Sequence, residues 1–85
     1  MNKFYKLIEA KIKAAGYPGE IDGCEFYNDI SNEVDEKDNG TYLFMIKKTD
    51  TLEYKGCMTI ADEEFDLHYV DIHHGDQIYH VDFYA

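Results

Sequence analysis

Apolar positions along the chain change period once, and that change divides the sequence into a helical start and a stranded second half. From Asn2 to Ala15, Phe4, Leu7, Ile8, Ile12 and Ala15 recur at helical spacing while Lys3, Lys6, Glu9 and Lys13 point elsewhere. This predicts an amphipathic helix, with Gly16 placed to end it and Pro18 to stop it. From Thr41 the period becomes two: Tyr42, Phe44 and Ile46 alternate with Leu43, Met45 and Lys47. Thr49-Asp50-Thr51 reads as a turn, Leu52 to Ala61 as a second strand and Asp62-Glu63 as another turn. Phe65 to Ile72 and Gln77 to Tyr84 follow as third and fourth strands. Between the two regimes, Gly19, Gly23, Asn28, Asn32 and Asn39-Gly40 interrupt a short apolar patch at Cys24, Phe26, Tyr27 and Ile30. That patch suggests a short strand or turn at Glu25 to Asn28, then an exposed loop from Ser31 to Gly40. The expected fold is α+β: an N-terminal amphipathic helix packed on a four-stranded antiparallel sheet, or a five-stranded one if Glu25 to Asn28 joins it.

Strand register can be tested by asking which pairing keeps one face apolar, because a one-residue slip turns every side chain over. A three-residue loop His73-His74-Gly75 sets Tyr69 opposite Tyr79, Leu67 opposite Val81 and Phe65 opposite Phe83. A two-residue His74-Gly75 loop pairs Leu67 with Asp82 instead and requires positive φ at His74, so it is disfavoured. The turn at Asp62-Glu63 pairs Ile60 with Phe65 and Met58 with Leu67. On the opposite face this register sets Cys57 beside His68, His68 beside His80, and Asp66 beside Asp82.

Opposed Cβ atoms lie roughly 4.5 to 5.5 Å apart in an antiparallel pair, so a thiolate and two imidazoles in one row could converge on an ion. Zinc takes such ligands tetrahedrally, and Cys24 is the natural fourth, giving an expected structural zinc site of Cys24, Cys57, His68 and His80. Asp66 or Asp82 could instead supply an oxygen ligand or orient a ring. The same residues also make sense without metal, the cysteine as a small apolar side chain and the histidines as amphipathic cover. His73 and His74 fall at a turn and read as solvated.

Composition narrows the functional classes. Eighty-five residues with 45% hydrophobic content and thirteen aromatics describe one folded domain, residues 1–85, with a modest core. No apolar run is long enough to span a bilayer and the start lacks a signal-peptide core, so a cytoplasmic protein with reduced thiols is expected. The net charge of -10 is unevenly spread: residues 1–15 carry four Lys and one Glu (+3), residues 16–85 four Lys and seventeen acids (-13). The acidic run Glu33, Asp35, Glu36, Asp38 is either solvated filler or a contact for a basic partner. Such a body repels nucleic acid and membranes and attracts basic protein surfaces. Cys57, His68 and Asp66 could form a nucleophilic set, yet mid-strand positions offer no oxyanion hole or pocket, and a non-enzyme is expected.

In size, acidity, Lys-only basic content and single-domain build the chain resembles phage-encoded anti-CRISPR proteins, small inhibitors of CRISPR effector nucleases; nuclease immunity proteins are similar in the same respects. The resemblance lies in overall character, without a shared motif. It implies a cytoplasmic role in a bacterial host: binding a basic nuclease and blocking the surface nucleic acid would use, with zinc stabilising the fold. The other expectation is a small structural or regulatory protein with no nuclease partner.

Overall fold

The computed structural model describes residues 3–35, 37–62 and 64–83. Two helices, α1 (Lys3–Ala14) and α2 (Gly23–Val34), precede four strands: β1 (Gly40–Lys47), β2 (Leu52–Ala61), β3 (Glu64–His74) and β4 (Gln77–Asp82). The strands form one antiparallel sheet in the order β1-β2-β3-β4, so every connection is a hairpin between neighbours. The N-terminal helix and the four strands agree with the sequence expectation; Asn2 and Tyr84, expected at the ends of their elements, lie outside the described residues.

The segment expected to hold a strand or turn at Glu25–Asn28 and a loop from Ser31 is instead the helix α2. Phe26, Ile30 and Val34 recur every four residues, and Phe26 and Ile30 are fully buried. Asn28 and Asn32, which suggested interruption, face solvent, where asparagine costs a helix little. Asp22 caps the start: its backbone is extended and its carboxylate accepts the Cys24 N–H at 2.9 Å. Glu9 of α1 adds a second cap across the hairpin, its Oε2 accepting the Gly23 N–H at 2.8 Å. This bond ties the start of α2 directly to α1.

The β2–β3 register agrees with the turn expected at Asp62-Glu63 as far as Met58 opposite Leu67, and then shifts. Glu63 itself lies outside the described residues. Cys57 faces Tyr69, leaving His68 as an extra residue in β3, a β-bulge. The bulge reverses the alternation: Phe65 and Leu67 face the helices before it, Val70 and Ile72 after it. The last hairpin is corrected accordingly. It turns on Gly75-Asp76, with His74 opposite Gln77 and Gly75 at φ 60° in the first central position of a two-residue turn. Val70 then opposes Val81 and Ile72 opposes Tyr79, while Tyr69 turns to the outer face opposite Asp82. An uninterrupted alternation through β3 had placed Tyr69 inside; the bulge removes the reason for that pairing.

Both helices pack on one side of the sheet. Ile8, Ile12, Tyr17, Phe26 and Ile30 meet Phe44, Tyr54, Met58, Ile60, Val70, Ile72 and Val81 in one core. Burying each such aliphatic side chain contributes about 1.5 to 3 kcal/mol before the entropy of ordering is deducted. Aromatic contacts tie the layers: Phe26 against Tyr54, Tyr27 against Phe65 and Tyr17 against Tyr79, with centroids 5.1, 5.3 and 5.3 Å apart. Lys48, in the β1–β2 turn, reaches α2 and bonds Asp29 at 2.6 Å and Glu25 at 3.0 Å.

A candidate binding face on the open side of the sheet

With both helices on one side, strand alternation leaves the other side of the sheet uncovered among the described residues. The register arranges its side chains in rows. Leu43, Cys57, Tyr69 and Asp82 form one; Met45, Lys55, Asp71 and His80 the next; Lys47, Glu53, His73 and Ile78 a third. At the other end Thr41, Thr59 and Asp66 continue the face. Its β1 side is apolar and exposed, Leu43 by 76% and Met45 by 60%; its β3–β4 side carries Asp66, Asp71 and Asp82. Leu43, Met45, Lys55, Tyr69 and Asp71 border an open depression of about 310 Å³ floored by Gly56. A side chain at Gly56 is precluded: a Cβ there would lie 2.5 Å from Phe44 Cζ and 2.6 Å from the Tyr69 carbonyl oxygen.

Several polar residues of this face are bonded to one another. His80 Nδ1 and Asp71 Oδ1 are 2.6 Å apart, and the His80 ring lies 5.4 Å from that of Tyr69. Lys55 and Glu53 form a 3.4 Å pair. His68 Nε2 lies 2.7 Å from Thr59 Oγ1, which lies 3.0 Å from Thr41 Oγ1, so a hydroxyl and imidazole chain crosses β1, β2 and β3.

The structure separates the four residues expected to share a metal. Cys57 faces Tyr69 rather than His68, and His80 faces Asp71 rather than His68, because the bulge and the shorter turn displace both pairings. Cys24 lies in the first turn of α2, in the helical layer on the far side of the sheet, where Asn28 Nδ2 donates to its Sγ at 3.7 Å. The Tyr5 phenol of α1 is held above its ordinary range by desolvation first and then by the neighbouring Cys24. Both cysteines are free thiols. Among the described residues no group of three or more His, Cys, Asp or Glu is placed to hold a metal ion. The expected Asp66–Asp82 pair is likewise parted, Asp66 opposing Thr59 and Asp82 opposing Tyr69. His73 and His74 belong to β3 instead of a loop, and the His74 ring packs on Tyr17 at 5.7 Å.

The apolar strip of Leu43 and Met45 was not singled out by sequence reasoning, although its signal is visible: β1 is apolar on both of its faces. A strand buried on one side only alternates with polar residues, so apolar residues on both sides ask for a second cover.

No protein-family model, no curated protein and no solved structure matches the chain. No described helix is long and apolar enough to cross a membrane.

Proposed function

We propose that the protein is an acidic protein-binding module that uses the open sheet face to occupy a basic surface on a nucleic-acid-binding partner. The observation that carries this is the union, on one uncovered face, of an exposed apolar strip, Leu43 and Met45, with the carboxylates Asp66, Asp71 and Asp82. Apolar residues at the centre of a contact supply affinity, and carboxylates beside them select a cationic partner and speed its capture. A surface that binds nucleic acid through Lys and Arg has that chemistry, so docking there displaces the nucleic acid. With a net charge of -10, the chain does not compete for the nucleic acid itself. The resemblance to anti-CRISPR proteins makes a CRISPR effector nuclease the partner class to test first.

The test is a competition: effector nucleases are mixed with guide, target DNA and the purified chain, and both DNA binding and cleavage are followed. Loss of target binding in proportion to added chain, strongest at low salt, is the expected result. If every effector cleaves at its uninhibited rate at low salt with the chain in excess, the inhibitor function is wrong.

A further inference from the structure

We infer that β1 is a self-association edge, on which a second copy of the chain adds its own β1 antiparallel about a two-fold axis at Phe44. The hydrogen-bond phase of the sheet supports this. The Lys48 N–H donates to the Leu52 carbonyl, which makes Lys48 and Leu52 a hydrogen-bonded pair. Such pairs alternate along an antiparallel ladder, so Ile46, Phe44 and Tyr42 bond β2, whereas the N–H and C=O groups of Thr41, Leu43, Met45 and Lys47 point out of the sheet. Those outward groups form an unbroken template for another strand.

The two edges of the sheet differ in how they are protected. β4 is six residues long and sets His80 and Asp82 on its open side, and a charged, short edge resists pairing. β1 is eight residues long, has no proline, bulge or acid, and carries its one charge, Lys47, at its end. It also falls within residues 39–49, the longest acid-free run of the sequence. A chain of net charge -10 repels its own copies across most of its acidic body, and of the two sheet edges the acid-free one is where like molecules meet at lower cost.

Centring the axis on Phe44 sets Leu43 opposite Met45 of the second copy and Thr41 opposite Lys47, so every outward residue of β1 finds a partner. A centre shifted to Leu43 or Met45 leaves one end unpaired. The pairing is isologous and closes at two copies, and it sets the exposed Leu43 and Met45 strips of both side by side as one contiguous apolar cluster. A β1-to-β4 contact would leave edges free and grow into a filament. The inference does not depend on the proposed nuclease partner, since it concerns the chain alone.

Sedimentation velocity of the full chain over a concentration series tests it. A reversible monomer–dimer equilibrium with a micromolar dissociation constant is expected. Met45→Pro removes an N–H that the β1–β2 ladder does not use, and is expected to weaken dimerisation by about tenfold or more. A Leu43→Lys, Met45→Lys double variant gathers four cations at the dimer centre without touching the backbone, and is expected to stay monomeric with an unchanged far-UV circular dichroism spectrum. A wild-type monomer at about 200 µM, well above a micromolar constant, overturns the inference. So do a dimer that survives the double substitution and an association that continues past two copies.

Discussion

Tyr54 and Lys48 show how single side chains couple the sheet to the helices and tie that coupling to pH. Tyr54 is buried beneath Phe26, and burial, the largest cause, pushes its phenol up to about 12 from an ordinary 10.0; Lys48 nearby acts in the opposite direction. A phenol raised in the folded state contributes stability that is complete below pH 10 and is lost as pH rises toward 12. Lys48 is held above the ordinary lysine range by its bonds to Asp29 first and Glu25 second, so its contribution is also kept at neutral pH and lost only at strongly alkaline pH. Urea unfolding of the wild type is therefore expected to show a steady fall in stability between pH 10 and 12. In Tyr54→Phe the fall over that window is expected to be shallower, because the Tyr54 share is gone while those of Lys48 and Tyr5 remain. Equal slopes in the two proteins would contradict the assignment. None of this was legible in the sequence, since Lys48 looks like any surface lysine until α2 is placed over it.

Among the elements, β3 decides the register of the second half of the sheet. Its two apolar sets, Phe65 with Leu67 and Val70 with Ile72, are out of phase by one residue, and the bulge at His68 absorbs the difference. Deleting His68 takes out the extra residue and joins them in one alternation, so Phe65, Leu67, Val70 and Ile72 all still face the helices and no bulge is required. The deletion variant is expected to keep cooperative thermal unfolding. His68→Ala keeps the residue count, and with it the bulge, and loses the ring's bond to Thr59, so a drop of about 1 kcal/mol is expected. A deletion variant that lost cooperative unfolding would show that the bulge does more than absorb the one-residue difference in phase. The sequence did contain the clue: Leu67 and Val70 are three apart, an odd step that a regular strand does not take. α2 was hidden for a different reason, since the helical spacing of Phe26, Ile30 and Val34 was outweighed by Gly and Asn residues that sit at its start and on its exposed side.

At the scale of the molecule, the fold is a two-layer arrangement in which helices cover one side of a meander and leave the other side open. The overall acidity steers any cationic partner, but steering alone does not say where the partner rests. Charge reversals of equal size on the two sides separate these effects. Asp71→Lys with Asp82→Lys on the open face is expected to weaken partner binding by about tenfold or more, through a faster off-rate. Glu20→Lys with Asp35→Lys, exposed positions flanking the helices, changes the net charge by the same amount and is expected to slow association only a few-fold. Equal losses from both pairs, measured by surface plasmon resonance against the basic partner, would place the contact elsewhere.

Local pattern was enough to determine α1, the existence and order of the four strands, the turn after Ala61, and the acidic character of the chain. These depend on the period of apolar residues and on the conformations that Gly, Pro and Asp allow near in sequence. Tertiary structure decided α2, the bulge at His68, the Gly75-Asp76 turn, and therefore which side chains share a row. A register is a choice between pairings with nearly equal local energies, and the choice falls to the one that buries Val70 and Ile72 under helices that lie far earlier in the chain. The row of Cys57, His68 and His80 was one product of the other choice; the open face of Leu43, Met45, Tyr69 and Asp82 is the product of the one the fold makes.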